Sequence, residues 1–263
     1  MNDAHYLGDK EDILERIVGS DAMVSDFDGT DVKTPLKRAA EKFCVNPINI
    51  LRHPKLILWA EEAMVRKLIE GKDADSPLWK KLVDCVGEDI SKIKGYAEDD
   101  VIKSLSGDEM SYARLILPGV PDIYSQMGEK EKFYLTRNFD SVVRPFADIL
   151  GIPEENIYSD DTDKARNAER LIQDNAGRVS RYVFRGDSCS DSEVLDVADF
   201  YKSKRVIDDY VGVAIGKPGK RDLSKVSVMV GDDQRPLAED LSDVVDADSE
   251  NTYAAAEAKV SNY

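Results

Sequence analysis

Apolar residues along this chain recur at the two spacings that distinguish helices from strands. In residues 11–18 they lie three and four positions apart, which predicts an amphipathic helix with Asp9 as its N-cap and Gly19 at its end. Residues 22–26 then form a short apolar run that ends in a carboxylate, as in a buried strand. The chain therefore opens with a predicted helix and a predicted strand.

The region from about residue 34 to residue 111 has helical periodicity and little sign of strand alternation. Stretches that suit helices occur at 36–43, 57–69, 77–86 and 97–104. We interpret this region as a helical module inserted after the first strand. The predicted division is a core made of residues 1–33 and 113–263, with the helical module at 34–112.

From about residue 117 onward, short apolar runs alternate with helical patterns. Strands are predicted at 132–135, 156–159, 181–185, 211–215 and 226–230. Helices are predicted at 121–127, 142–150, 163–175, 193–200 and 236–241, with a terminal helix at 251–260. This alternation predicts an α/β fold with a mainly parallel sheet that helices cover on both faces.

Polar side chains gather where three of the predicted strands end. The three groups are Asp26 with Asp28, Thr136 with Asn138, and Asp187 with Asp191. In parallel sheets, ligands bind beyond the carboxyl ends of the strands, so these groups are expected to share one site. The first pair taken alone has a second interpretation, an Asp-rich turn after an edge strand. Two carboxylates this close repel each other, which favours a bound cation or a catalytic role.

Composition and charge exclude several classes of protein. A chain of 263 residues is long enough for one large domain or for a domain with a substantial insert. Its formal charge of −16 argues against nucleic acid and against an anionic membrane surface as partners. No apolar run approaches the roughly 20 residues that span a bilayer, and the N-terminus has no secretory pattern, so we expect a cytoplasmic protein. Three cysteines without paired spacing argue against a disulfide framework or a Cys-rich zinc site.

Four motifs occur in a fixed order along the core. They are Asp26-Phe27-Asp28-Gly29-Thr30 after a strand, Thr136 at a strand end, Lys164 at a helix start 23 positions before Asp187, and Gly186-Asp187 with Asp191. This set resembles the haloacid dehalogenase superfamily of Mg-dependent aspartyl phosphatases and phosphotransferases. The resemblance implies a three-layer Rossmann-like core, and the helical module then resembles the cap that closes over the site in many members.

The resemblance also implies a role for each motif residue. Asp26 would be the nucleophile, and Asp28 would protonate the leaving group and then activate water. Mg²⁺ would be held by Asp26, Asp28, Asp187 and Asp191. The substrate phosphate would be bound by Thr136, Arg137, Asn138 and Lys164. Because a phosphate dianion repels a carboxylate, attack by an aspartate needs this surrounding positive charge.

Some features have competing interpretations. Val230-Gly231-Asp232-Asp233 also follows an apolar run, but no aspartate stands four residues after Asp232. A lysine at a helix start is usually solvated, and the helix dipole disfavours it there, so its presence at residue 164 favours a role. The run that begins at Asp26 is not a calcium loop, since its twelfth position is Lys37 and not glutamate.

These observations predict a Mg²⁺-dependent phosphatase that hydrolyses a small phosphorylated metabolite through an aspartyl-phosphate intermediate. A cap of this size would obstruct a macromolecular substrate, and the expected assembly is a monomer or a homodimer. The alternatives are a phosphomutase or phosphotransferase, a phosphonate hydrolase of the same superfamily, and a non-catalytic member that serves as a binding module.

Overall fold

A computed structural model describes most of the predicted core. It describes residues 3–27, 29–33, 113–136, 140–159, 163–216 and 223–246, without the side chains of 140–142 and 189–190. The helical module predicted at 34–112 and the terminal helix predicted at 251–260 lie outside the described residues. The division of the chain into a core and a helical module therefore stays a prediction.

The described residues form one seven-stranded sheet with helices. The strands are β1 (His5–Tyr6), β2 (Ala22–Ser25), β3 (Glu131–Leu135), β4 (Ile157–Tyr158), β5 (Arg181–Gly186), β6 (Asp209–Ile215) and β7 (Val228–Val230). The helices are α1 (Lys10–Val18), α2 (Val120–Gln126), α3 (Asp140–Leu150), α4 (Lys164–Asp174), α5 (Cys189–Ser203) and α6 (235–246), with a 3₁₀ turn at Glu154–Asn156.

The strand order is β1-β7-β6-β5-β2-β3-β4, and every pairing is parallel except that of β1 with β7. Strand β2 lies between β3 and β5. The carboxyl ends of these three strands therefore lie side by side, and they are the ends at which the sequence concentrates its polar residues. The predicted α/β, Rossmann-like fold with a mainly parallel sheet is confirmed.

Alternate side chains of the central strands enter two separate hydrophobic cores. Met23 belongs to the core formed with α1, α2, α3 and α6, whereas Ala22 and Val24 belong to the core formed with α4 and α5. All four residues of β2 are buried, as expected for a central strand covered on both faces. The described helices therefore form two layers with the sheet between them.

Local capping explains where the helices begin. Asp9 accepts a hydrogen bond from the N–H of Asp12 at 3.0 Å, which confirms the predicted N-cap of α1. Helix α5 begins at Cys189, four residues before the predicted start, because Ser188 and Asp191 form a capping box there. The two-residue strand β1 was not predicted, since so short a segment has no detectable periodicity.

The two chain segments that flank residues 34–112 are paired with each other. Val32 and Ile116 form an antiparallel bridge. The N–H of Lys33 donates to the carbonyl of Leu115, and the N–H of Leu117 donates to that of Asp31, both at 2.8 Å. The chain therefore leaves the core and returns to it at the same place.

None of the helices that the structure describes is both long and apolar enough to cross a bilayer.

Asp21 joins the start of β2 to the start of β5. Its carboxylate accepts hydrogen bonds from the N–H groups of Ser180 and Arg181, at 3.0 and 2.9 Å, and from the Arg181 guanidinium at 2.9 Å. Burial alone would raise the pKa of Asp21, but these hydrogen bonds outweigh it and lower the pKa to about 2. The ionised carboxylate is therefore favoured in the folded protein.

We expect Asp21→Asn to destabilise the protein by about 1 to 2 kcal/mol at pH 7. Since the folded-state pKa of about 2 lies below the ordinary value of 3.8, the stabilisation is present above pH 3.8. It is lost as the pH falls through about 2. Urea unfolding across this range measures the effect, with Asp148→Asn on the exposed face of α3 as the control. Identical pH profiles for the wild type and Asp21→Asn would contradict the prediction.

Candidate active site

Asp26 stands immediately after β2 and is anchored to the neighbouring strand. Its N–H donates to the carbonyl of Arg185 in β5 at 2.9 Å. The residue is only 8% exposed, so its carboxylate is held in a largely dry environment at the end of the strand. A buried carboxylate is stable only when charged or hydrogen-bonding groups surround it.

Lys164 supplies the positive charge beside Asp26. It is the first residue of α4, whose N-cap Asp163 accepts hydrogen bonds from the first turn of the helix. The Lys164 side chain is 3% exposed, and its Nζ lies 2.8 Å from Oδ1 of Asp26. The same ammonium also forms an ion pair with Oδ1 of Asp191. One lysine therefore links the end of β2 to the start of α5.

Asp187 lies in the loop after β5, and Asp191 lies in the first turn of α5. Oδ2 of Asp191 accepts hydrogen bonds from the N–H and the hydroxyl of Ser188, at 2.8 and 2.9 Å, in the capping box of α5. This leaves Oδ1 of Asp191 directed at Lys164. The two hydrogen bonds from Ser188 therefore fix the orientation of the Asp191 carboxylate.

Three carboxylates converge at this point. Asp26, Asp187 and Asp191 each offer an oxygen, and these oxygens lie within 4.8 Å of one another. Oxygen ligands from a few carboxylates suit a hard divalent cation such as Mg²⁺. Among the residues that the structure describes, Lys164 forms ion pairs with two of these carboxylates, Asp26 and Asp191. Carboxylates gathered this closely repel one another, which a bound cation would relieve. Because all three groups offer carboxylate oxygens, Asp26, Asp187 and Asp191 fit a magnesium site.

The charged groups of the cluster change one another's pKa values. Burial raises the pKa of Asp26, as does the nearby carboxylate of Asp191, and although Lys164 opposes them the pKa rises to about 6. Burial alone would lower the pKa of Lys164, but Asp191 and Asp26 raise it above its ordinary value. Lys164 is therefore charged at neutral pH and acts as a counter-ion of Asp26 and Asp191.

Thr136 stands at the end of β3, the strand that pairs with β2 on the other side from β5. It is buried, and its N–H donates to the carbonyl of Tyr158 at 3.0 Å. Asp28, Arg137 and Asn138 lie outside the described residues. Of the predicted site residues, the structure brings together Asp26, Lys164, Asp187 and Asp191, with Thr136 at the neighbouring strand end.

The competing motif at Gly231-Asp232-Asp233 lies elsewhere. It follows β7, which is separated from β2 by both β5 and β6. Asp233 forms an ion pair with Arg235 at the protein surface. The structure does not bring this motif to the aspartate cluster.

Sequence reasoning missed two contributors to the geometry. Ser188, which orients Asp191, is signalled by the Ser-x-x-Asp pattern of a capping box. Gly29 has a φ of +78°, and a Cβ built there would lie 2.1 Å from Oδ2 of Asp187. The loop after β2 therefore packs directly against an aspartate of the loop after β5. Only a glycine lets the two loops come this close. Local sequence does not indicate that Gly29 lies beside Asp187.

We expect Gly29→Ala to weaken Mg²⁺ binding by about tenfold or more, because the added methyl group would displace Asp187. Gly177→Ala is a matched control, since Gly177 has a similar φ of +82° but open space around the added methyl group. Both substitutions should cost about 1 to 2 kcal/mol in backbone strain. Calorimetric titration with Mg²⁺ measures the difference, and equal affinities in the two variants would contradict the prediction.

A solved structure of another protein shares this fold. The chain is similar to a phosphoserine phosphohydrolase-like protein from Francisella tularensis subsp. tularensis SCHU S4, with a TM-score of 0.50 and 16% sequence identity over 83% of this chain and 98% of that one. It is also similar to DsGPDH of Dunaliella salina, with a TM-score of 0.49 and 17% identity over 77% of this chain. The chain spans only 33% of the Dunaliella salina structure.

At 16% identity, the likeness to the Francisella tularensis protein shows the fold alone. No protein-family model and no curated protein matches the chain. The likeness to the phosphohydrolase-like protein therefore supports the resemblance stated above at the level of architecture.

Proposed function

We propose that this chain is a Mg²⁺-dependent phosphatase of small phosphorylated metabolites, with Asp26 as its covalent nucleophile. The observation that supports this most is the cluster in which Asp26 is paired with a buried lysine and faces the carboxylates of Asp187 and Asp191. A fold similar to that of a phosphoserine phosphohydrolase-like protein agrees with it.

In the proposed reaction, a carboxylate oxygen of Asp26 forms a bond to phosphorus while the bond from phosphorus to the ester oxygen breaks. Asp28 gives its proton to the departing oxygen, which leaves as an alcohol. The same residue then takes a proton from water as the water attacks phosphorus. Inorganic phosphate is released, and Asp26 is regenerated as a carboxylate.

The remaining motif residues would bind and orient the phosphate. Lys164 would hold the negative charge of the phosphoryl oxygens together with that of Asp26, since its ammonium already lies beside this carboxylate. Thr136, Arg137 and Asn138 would donate hydrogen bonds at the end of β3. Because Asp26 and Asp191 already hold Lys164 in place, little reorganisation of its ammonium group would oppose the reaction.

Asp26, Asp187 and Asp191, with the main chain of Asp28, would hold the Mg²⁺. When bound, the cation supplies the positive charge that reduces repulsion between the nucleophile and the phosphate dianion. Asp191 already accepts hydrogen bonds from Ser188 through one oxygen, so its contribution would come through the other or through a water.

The segment 34–112 would act as a helical cap that excludes water and selects the leaving group. Its entry and exit beside the loop after β2 are consistent with a position near Asp26. A covered site of this kind favours a small metabolite as substrate, with the protein acting as a monomer or a homodimer.

Hydrolysis of p-nitrophenyl phosphate and of a panel of phosphorylated metabolites tests this function. We expect turnover with Mg²⁺, loss of activity in EDTA, and recovery when Mg²⁺ is restored. A wild-type chain that binds Mg²⁺ but hydrolyses nothing in the panel would overturn the proposal in favour of a binding module.

A further inference from the structure

A second charged pair, more fully buried than Asp26, joins β5 to the loop after β2. Nη1 of Arg185 lies 2.9 Å from Oδ1 of Asp31, and the two side chains are 1% and 0% exposed. Burying two charges carries a desolvation cost that their attraction often fails to exceed, so a well-packed apolar pair is frequently as stable. Stability alone therefore does not account for this pair.

The ion pair joins two sets of buried hydrogen bonds, one around Asp31 and one around Arg185. We define the Arg185 network by six buried residues: Ser25, Thr30, Asp31, Tyr124, Arg185 and Gln234. Tyr124 donates its hydroxyl hydrogen to Oδ2 of Asp31 at 2.6 Å. Arg185 donates to the hydroxyl of Ser25 at 2.9 Å and to the side-chain carbonyl of Gln234. Gln234 in turn donates to the main-chain carbonyl of Thr30.

Members of the network adjoin the residues of the proposed site. Ser25 immediately precedes Asp26, and Arg185 stands two residues before Asp187. Asp31 belongs to the loop after β2, and its carbonyl accepts the N–H of Leu117, where the chain returns from residues 34–112. The network therefore ties together β2, the loop that follows it, and β5 at their carboxyl ends.

We propose that Asp31 and Arg185 are positioning residues that set the separation of Asp26 and Asp187, and so the affinity of the site for Mg²⁺. The guanidinium is a rigid planar fork, and its bonds in several directions fix the loop after β2 against β5 more narrowly than apolar packing would. The effect on turnover rests on the proposed phosphatase function, whereas the effect on metal affinity does not.

The mildest test removes one hydroxyl from the network. Tyr124→Phe deletes the donor to Asp31, and Tyr6→Phe is the matched control because the Tyr6 hydroxyl donates to Asp240 at the same 2.6 Å, on the β1 side of the sheet. We expect Tyr124→Phe to weaken Mg²⁺ binding about threefold to tenfold. This is less than the effect of removing a group that hydrogen-bonds directly to a metal ligand, which costs about 10- to 100-fold. Tyr6→Phe should bind Mg²⁺ as the wild type does.

A stronger test replaces the ion pair by apolar side chains of similar shape. The single variants leave a buried charge without its partner and are expected to fold poorly. The double variant Asp31→Leu/Arg185→Met avoids this, and circular dichroism checks that it is folded. Calorimetry should then give about 10- to 100-fold weaker Mg²⁺ binding. At saturating Mg²⁺ we expect a lower kcat for p-nitrophenyl phosphate, with KM within about twofold of the wild type, because alignment and not substrate binding is altered.

The outcomes separate this inference from the proposed function. Wild-type Mg²⁺ affinity in folded Tyr124→Phe, and in the double variant wherever that folds, would overturn the positioning role whatever the activity. A wild type that binds Mg²⁺ without phosphatase activity would overturn the function alone, and the affinities of the variants would still decide the role of Arg185. A wild type that binds no Mg²⁺ would overturn both.

Discussion

Asp26→Asn is expected to lower the rate of phosphate-ester hydrolysis by at least about 10⁴-fold, the scale of loss when a covalent nucleophile is removed. The amide cannot attack phosphorus as a carboxylate does, and it no longer neutralises Lys164. Initial rates with p-nitrophenyl phosphate and saturating Mg²⁺ measure the effect. Mass spectrometry of acid-quenched enzyme adds a direct readout, because the wild type should carry a phosphoryl group and the variant should not.

The Asp26→Asn variant is expected to stay folded, since Lys164 keeps its ion pair with Asp191. Asp148→Asn on the exposed face of α3 makes the same chemical change away from the site and should retain full activity. Activity in Asp26→Asn above about 1% of the wild-type rate would exclude Asp26 as the nucleophile.

Lys164→Met is expected to reduce the rate by about 10²- to 10³-fold, as for the loss of one fixed donor to a developing negative charge. It should also destabilise the metal-free protein by about 3 kcal/mol, because Asp26 and Asp191 lose the cation they share in a buried setting. Urea unfolding in EDTA and activity with Mg²⁺ measure the two effects separately.

Mg²⁺ should restore more stability to Lys164→Met than it adds to the wild type, since a divalent cation would take over neutralisation of the carboxylates. Lys202→Met is the matched control. Lys202 is also paired with a carboxylate, that of Asp209 at 2.6 Å, but its side chain is 43% exposed. Such a pair is worth less than about 1 kcal/mol. Equal destabilisation of the two variants, or no response to Mg²⁺, would contradict the role of Lys164.

The order of strands and helices in the core could be predicted because each element carries its own periodicity. The apolar run at 22–26 predicts β2, and the periodicity at 163–175 predicts α4, which the structure has at Lys164–Asp174. The aspartates at the ends of β2 and β5 could be grouped because parallel strands end at one edge of a sheet. These are short-range signals combined with one rule of topology.

The Arg185 network could not be predicted in the same way. Arginine is rarely buried in proteins, yet Arg185 is buried in the central strand of the sheet. Its partner Asp31 is far away in sequence, and Gln234 follows a different strand. Contacts of this range depend on which strands become neighbours, and local pattern carries no information about that.

The pairing of residues 31–33 with residues 115–117 has a consequence for how the chain can vary. The core itself holds the two ends of the intervening segment together. The entropic cost of bringing those ends together grows only with the logarithm of the segment's length. Residues can be gained, lost or exchanged between these ends at little cost to the sheet. Under the proposed function, related proteins can therefore differ in substrate through this segment while the site residues around Asp26 stay the same.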